Sequence, residues 1–368
     1  MVDERLDTRA LNRATLARQL LLRRHPITPL AALGHLVGMQ AQCPDSPYVG
    51  LWSRLADVEP DDLGRSITGR EALRAPLMRC TLHLVTAEDC LALRPVVQPV
   101  FERTYRSSSP FARQVDGVDL AAVRTAGEEL LVERPRTRAE LAPLLAERWP
   151  GRDPDALVYA VTYLAPLVQV PPRGVWGTTG PSAWTTVESW LGRRLPTDAA
   201  PDAAVVRYLA AFGPATVMDA QRWSGLTRLR AVFDRLRPTL RTFRADDGRE
   251  LFDLPDAPRP APDTPAPPRF LPEYDNVQFS HADRRRIVPE GRRPPLYGGN
   301  GGVLGTVLVD GFLAGTWRLD AADGDPAVLT VEPYERLATT DREAVETEGA
   351  DLLRFAAPTA RTLDVRVT

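Results

Sequence analysis

Thr137-Arg-Ala-Glu140 precedes Leu141, Leu144 and Leu145; Asp153-Pro-Asp155 precedes Leu157, Val158, Val161 and Leu164; then comes Leu167-Val-Gln-Val-Pro-Pro-Arg-Gly-Val-Trp-Gly177. This run decides the architecture. The first group is a capping box ahead of apolar residues at helical spacing: threonine and a glutamate three residues on satisfy each other's backbone N–H. The second is a helix start, with an aspartate cap and proline in the first turn. The third alternates, turns at Pro172-Arg173-Gly174 and returns, the pattern of a hairpin. Helix, helix, hairpin is the order of a winged helix, and it places Arg173 at the wing tip. There Arg173 is either a solvated turn residue or a phosphate contact.

The same order of elements recurs downstream without any repeat of fixed period. A helix closes at Gly213-Pro214, and Thr216-Val-Met-Asp219 caps the next. Leu226 to Leu236 reads as a third, and residues 240–253 as a hairpin around Asp247-Gly248. Upstream, Leu11, Leu16, Leu20 and Leu21 have helical spacing, Pro26-Ile-Thr28-Pro29 restarts a helix, and Asp61 to Leu73 reads as another. Leu77 to Val85 is expected as one strand, ending where Thr86-Ala-Glu-Asp opens a helix. Residues 255–269 are rich in Pro, Asp and Ala, a linker. Beyond them the texture is β: strands over 296–319 about an Asp310-Gly311 turn, a strand over 328–331, a helix over 341–355 and a last strand over 362–367. The expected class is α+β. Winged helices occupy 1–115, 116–185 and 186–256, and 257–368 holds the linker and a C-terminal β-barrel-like domain.

A chain of 368 residues exceeds one small core. No run of about 18 apolar residues is present, so no membrane-spanning helix is expected. The charged start Met1-Val-Asp-Glu-Arg lacks a signal-peptide core. Cys43, Cys80 and Cys90 have no metal-type spacing and read as reduced thiols, which places the chain in the cytoplasm. Four histidines without clustering argue against a metal site. Net charge is −2, so a nucleic-acid surface would be a local basic channel rather than a coat. All 46 basic residues are arginine. With no lysine amine, lysine-dependent Schiff-base chemistry is excluded.

The stretch expected to carry chemistry is Met39-Gln-Ala-Gln42, within Leu33-Gly-His-Leu-Val-Gly-Met-Gln-Ala-Gln-Cys-Pro-Asp-Ser-Pro-Tyr-Val-Gly-Leu-Trp52. Leu33, Leu36 and Val37 read as a helix broken by Pro44 and Pro47. Two amides two residues apart diverge on a regular helix and reach one pocket only where it ends or bends. An amide takes no proton near neutral pH but can orient a water or bond a base edge. The structural alternative is helix-end caps or surface amides.

Ala31 to Trp52, Leu77-Met-Arg-Cys-Thr-Leu-His-Leu-Val85 and Phe270-Leu-Pro-Glu-Tyr-Asp-Asn-Val-Gln-Phe-Ser-His-Ala-Asp-Arg284 together resemble the AlkZ/YcaQ-type winged-helix DNA glycosylases. That family's motif is Gln, any residue, then Gln or Asp, matched here by Gln40 and Gln42. The resemblance implies three winged helices and a β-barrel forming a U whose concave face holds DNA. It implies a monofunctional glycosylase, without metal or organic cofactor, that removes N7-alkylguanine adducts and interstrand crosslinks from duplex DNA as a monomer. Gln40 and Gln42 jointly position the water. Arg79, Thr81 and His83, on one side of the expected strand, are DNA contacts beside them, or else His83 is a structural histidine. Arg284, Arg285 and Arg286 are phosphate-contact candidates; Asp275, Asn276 and His281 read as structural. The alternative is a non-enzymatic winged-helix DNA-binding protein or regulator. Within the enzyme class, general repair and self-resistance to one alkylating natural product stay open.

Overall fold

The computed structural model describes residues 4–292, 304–321 and 325–368. The deciding run folds as its caps require. Thr137 Oγ1 accepts from the Glu140 N–H at 3.2 Å, and Glu140 Oε2 accepts from the Thr137 N–H at 2.8 Å. The helix Arg138–Arg148 follows. Asp153 caps the helix Pro154–Leu164 differently, its Oδ1 accepting from the Asp155 N–H at 2.9 Å and the Ala156 N–H at 3.3 Å. The hairpin differs from expectation: Leu167–Gln169 pairs not with Val175 but with Ala183–Thr186. The intervening loop folds back over the N-terminal unit, where the Gly174 carbonyl accepts from Tyr48 Oη at 2.9 Å. Gly174 has φ +96°, and a Cβ there would lie 2.4 Å from Arg74 Cδ. Arg173 is therefore half-buried against the core of the site rather than held at a free tip, and Arg173 Nη1 donates to Gly180 O at 3.0 Å.

The hairpin also joins its unit to the preceding one. A single six-stranded sheet runs in the order Met39–Gln40, Leu82–Thr86, Ala72–Pro76, Leu167–Gln169, Ala183–Thr186, Arg136–Thr137. Its two halves meet where Arg74 pairs with Gln169. Leu77 to Val85, expected as one strand, is strand only from Leu82 onward; before it residues 77–81 form a corner. Arg79 and Cys80 take φ of +57°, a left-handed conformation costly for residues with side chains. The chain thus reverses between strands Ala72–Pro76 and Leu82–Thr86.

In the region 186–256, the Thr216 capping box opens the helix Val217–Ser224, and Arg241–Ala245 pairs with Glu250–Asp253. These helices share their core with the N-terminal region. Val97 and Phe101 of the helix Ala87–Ser108 lie in one buried cluster with Tyr208, Phe212 and Trp223. An Arg18–Asp253 ion pair, both side chains fully buried, pins the helix Thr8–Arg18 to this body.

The C-terminal region does not close into a barrel. Its described residues form five strands, in the order Arg269–Leu271, Gly305–Val309, Phe312–Asp320, Ala327–Pro333, Leu363–Val367, antiparallel except for the last pair. The helix Thr339–Ala356 carries the chain to the far edge, so the last strand lands beside Ala327–Pro333 and not beside the first strand. That helix buries Val345, Leu352 and Leu353 with Phe270 and Leu329. The first part of the expected 296–319 hairpin lies outside the described residues. Among the described residues, no helix is long and apolar enough to cross a membrane.

Candidate active site

The glutamine stretch is not the end of a proline-broken helix. The helix Pro29–His35 stops at Gly38, φ +88°, whose N–H donates to Leu33 O at 3.0 Å. A Cβ at Gly38 would come within 2.4 Å of Val85 Cγ1. Met39–Gln40 then forms a strand opposite Leu84 and His83. Pro47 starts the next helix, Ser46–Trp52, consistent with the tolerance of proline in a first turn.

Two arginines grip this strand. Arg79 Nη2 donates to Gln40 Oε1 at 3.0 Å and to Asn276 Oδ1 at 2.9 Å, while Nη1 donates to Trp223 O at 2.9 Å. Asn276 Nδ2 reaches Gly38 O at 3.3 Å, closing a ring of contacts around Gln40. Arg74 Nη2 donates to Ala41 O at 2.7 Å, and its other terminal nitrogen donates to Gln169 Oε1. The Ala41 N–H donates to Leu82 O at 2.8 Å. Gln40, at 8% exposure, is thus a fixed amide on a fixed backbone.

The two glutamines look into different cavities, each of about 430 Å³. Gln40 lines one with Arg79, Thr81, Arg103, Arg222 and Phe279. Gln42, exposed, lines the other with Arg74, Arg138, Tyr159, Tyr163 and Trp184. Residues 79–82 are the wall between them: Arg79 and Thr81 face the Gln40 side, Cys80 and Leu82 the Gln42 side. The structure therefore brings Gln40, Arg79 and Thr81 together as expected. It does not place both amides in one pocket, because the chain leaves the strand at Ala41.

Neither cavity is lined by a carboxylate. Among the described residues, none of Arg74, Arg79, Arg103, Arg138, Arg173 and Arg222 forms an ion pair with an acid. Burial, with the like charge of Arg173 second, lowers Arg74 to about 10. Burial followed by Arg222 and Arg284 lowers Arg79 to about 10. Both stay cationic at neutral pH. On a chain of net charge −2, cations unpaired by any acid of the linings gather where the glutamines lie, with Asp45 the acid whose charge reaches Arg74 and Arg173; this is the electrostatics of a polyanion site.

The basic run at 284–286 splits three ways. Arg284 stacks at 5.6 Å over Phe279, which lines the Gln40-side cavity. Arg285 is matched by Asp283 and Asp247 in a separate, larger cavity. Arg286 is buried, donating to Pro214 O at 2.8 Å, so its expected phosphate contact is corrected to a structural role. His83 is likewise corrected. It is fully buried, with Nδ1 3.0 Å from Thr81 O, an atom that only accepts, so Nδ1 carries the proton. Its Nε2 is buried without a partner. Sequence reasoning took Asn276 as structural and passed over Arg74, Arg103 and Arg222. The signal for Arg74 was an arginine inside the apolar run Ala72-Leu-Arg-Ala75.

Burial, then the like charge of Arg79, lowers His83 to about 3 from an ordinary 6.5. His281 is lowered to about 3, by burial first and then by Arg286. Between those values the unfolded chain binds protons that the fold refuses, so stability is lost as pH falls from 6.5 toward 3. The urea midpoint of His83→Gln should therefore decline less steeply than wild type between pH 6.5 and 4. Equal slopes would contradict the neutral, buried His83.

A family model described as DNA glycosylase AlkZ-like matches residues 33–355. The chain is 25% identical over 365 residues to the interstrand DNA cross-link repair glycosylase of Streptomyces sahachiroi, covering 92% of this chain and 93% of that protein. The solved structure of Streptomyces sahachiroi DNA glycosylase AlkZ is similar with a TM-score of 0.77 at 22% identity, covering 99% of this chain and all of that one.

Proposed function

This chain belongs to the AlkZ-like DNA glycosylases, and from that premise we propose that it hydrolyses the N-glycosidic bond of N7-alkylated purines, crosslinked guanines included, in duplex DNA. The observation that carries the reading is the Arg79-held Gln40 amide on a carboxylate-free, arginine-lined cavity. N7 alkylation makes the base cationic, so the C1′–N9 electron pair leaves on a neutral base and little acid catalysis is needed. What remains is to place a water at C1′, and an amide with its oxygen already fixed can do this. The water oxygen bonds C1′ and its proton passes to solvent. Lacking a strong base, such a site is selective for nucleosides already activated by alkylation. With no lysine available, strand scission is expected only on added alkali. The enzyme acts as a single chain, with units 1–115, 116–185 and 186–256 and the C-terminal sheet lining the duplex path.

The test is unhooking of a defined N7–N7 guanine crosslink, read on denaturing gels before and after alkali. Separated strands that break only after alkali support the reading. Tight duplex binding without unhooking or base loss would favour a non-enzymatic DNA-binding protein. The electrostatic part is tested separately. Arg103→Ala and Arg222→Ala, both exposed, should weaken binding to damaged and undamaged duplexes alike and reduce the slope of log affinity against log salt by about 1 each. An unchanged slope would remove the Gln40-side cavity from the phosphate path.

A further inference from the structure

We propose that Thr81 is a second water-positioning group of the hydrolysis, accepting a hydrogen bond from the attacking water while the Gln40 amide nitrogen donates one to it; the proposal rests on the glycosylase reading. Both residues line the same cavity. Gln40 pairs with His83 across the strands Met39–Gln40 and Leu82–Thr86, and the Ala41 N–H bond to Leu82 O carries the pairing on toward Thr81. Thr81 stands two residues before His83 in extended backbone, φ −106° and ψ 158°. Alternation puts Thr81 and His83 on the face that Gln40 shares. Gln40 and Thr81 are therefore diagonal cross-strand neighbours, with Cβ atoms about 7 Å apart or less. Hydrogen bonds of about 2.8 Å on either side let one water bridge their polar ends.

The hydrogens decide the direction of each bond. Thr81 Oγ1 lies 3.0 Å from Met78 O, which only accepts, so the hydroxyl hydrogen is committed there. His83 Nδ1, 3.5 Å from the same hydroxyl, directs its proton to Thr81 O. What Thr81 offers the cavity is a lone pair, an acceptor. Gln40 is the converse. Its Oε1 accepts from Arg79, while its Nε2 has no partner among the described residues and is not sealed from solvent. A water between them donates to Thr81 Oγ1 and accepts from Gln40 Nε2, which leaves its second lone pair for C1′. As the C1′–O bond forms, the C1′–N9 pair leaves with the base and one proton of the water passes to solvent. Other acceptors of the lining are committed: Gln221 Oε1 accepts from the Leu229 N–H at 3.0 Å, and Gly225 O accepts from Arg103 Nη2 at 2.6 Å. The rival is the Thr104 hydroxyl, on the helix Ala87–Ser108.

The experiment uses the full chain and a duplex with one N7-methylguanine, followed in single turnover. Thr81→Val removes the hydroxyl and keeps the shape. The corner retains its backbone bonds, Thr81 N–H to Met78 O at 3.1 Å and Leu77 N–H to Thr81 O at 3.0 Å, so a wild-type urea midpoint is expected. Thr81→Val should lose about tenfold in excision rate, the worth of one neutral hydrogen bond, with duplex affinity and its salt slope unchanged. Thr81→Ala, which is smaller and easier to accommodate, should lose at least as much. Thr81→Ser keeps the acceptor and should return the rate to within about threefold of wild type. Equal losses in the serine and valine variants would mark a packing role and overturn the proposal. So would a phosphate contact's pattern, weaker duplex binding with the rate kept, or a loss confined to Thr104→Val. A wild-type rate in Thr81→Val with Gln40→Ala inactive would overturn Thr81 alone and leave the glycosylase standing. No excision by wild type would overturn both.

Discussion

Replacing Gln40 by alanine is expected to slow base excision about 10²–10³-fold under single turnover, with duplex affinity within about twofold of wild type. The size follows from what is removed. Gln40 is one polar group whose geometry is prepaid: Arg79 holds its oxygen, Asn276 holds Arg79, and the strand pairs with His83. The substitution deletes the group proposed to meet the water and leaves its supports standing. Gln40→Glu is an informative partner, because it keeps the shape and adds a base beside Arg79. Gln42→Ala should also lose rate, though less than Gln40→Ala, since Gln42 is exposed and lies in the other cavity. Equal losses on all substrates from both variants would return the two amides to a single shared role.

The second large effect concerns stability. Asp253→Ala should destabilise the fold by about 3–5 kcal/mol. Asp253 is fully buried and accepts from Arg18 Nη1 and Nη2, both at 2.8 Å, and from Arg259 Nη1 at 2.5 Å. Removing it strands Arg18, whose guanidinium is itself fully buried. Burial already lowers the pKa of Arg18 despite the pair. The pair joins the helix Thr8–Arg18, the strand Glu250–Asp253 and the segment after it, so the loss is felt across three parts of the chain. A fall of roughly 1 M or more in the urea midpoint is expected. A shift below a few tenths of a molar would mean that water reaches Arg18 and the pair is not truly buried.

Much of this was legible in the residues. Caps are local chemistry, so Thr137 with Glu140, Asp153 and Thr216 with Asp219 placed helix starts correctly. The expectation that Arg79 and Thr81 lie beside Gln40 matches their shared cavity. What failed depended on distant partners. Leu77 to Val85 alternates like a strand, but Arg79 and Cys80 adopt a left-handed corner that no periodicity signals. Arg284, Arg285 and Arg286 are identical in sequence terms and separate only because Phe279, Asp283 and Pro214 happen to stand beside them. The C-terminal strands had a barrel's texture; the parallel return through the helix Thr339–Ala356 keeps the sheet open. Gln40 and Gln42 are split by the course of the backbone at Ala41, which is set by Arg74 and Leu82.

The most direct measurement is release of free 7-methylguanine from a duplex bearing one N7-methylguanine, with enzyme in excess and the base quantified by mass spectrometry. The account predicts release stoichiometric with bound duplex, an intact strand until alkali is added, and a rate that collapses in Gln40→Ala. Saturating duplex binding with no release above the spontaneous rate, or release undiminished in Gln40→Ala, would contradict it.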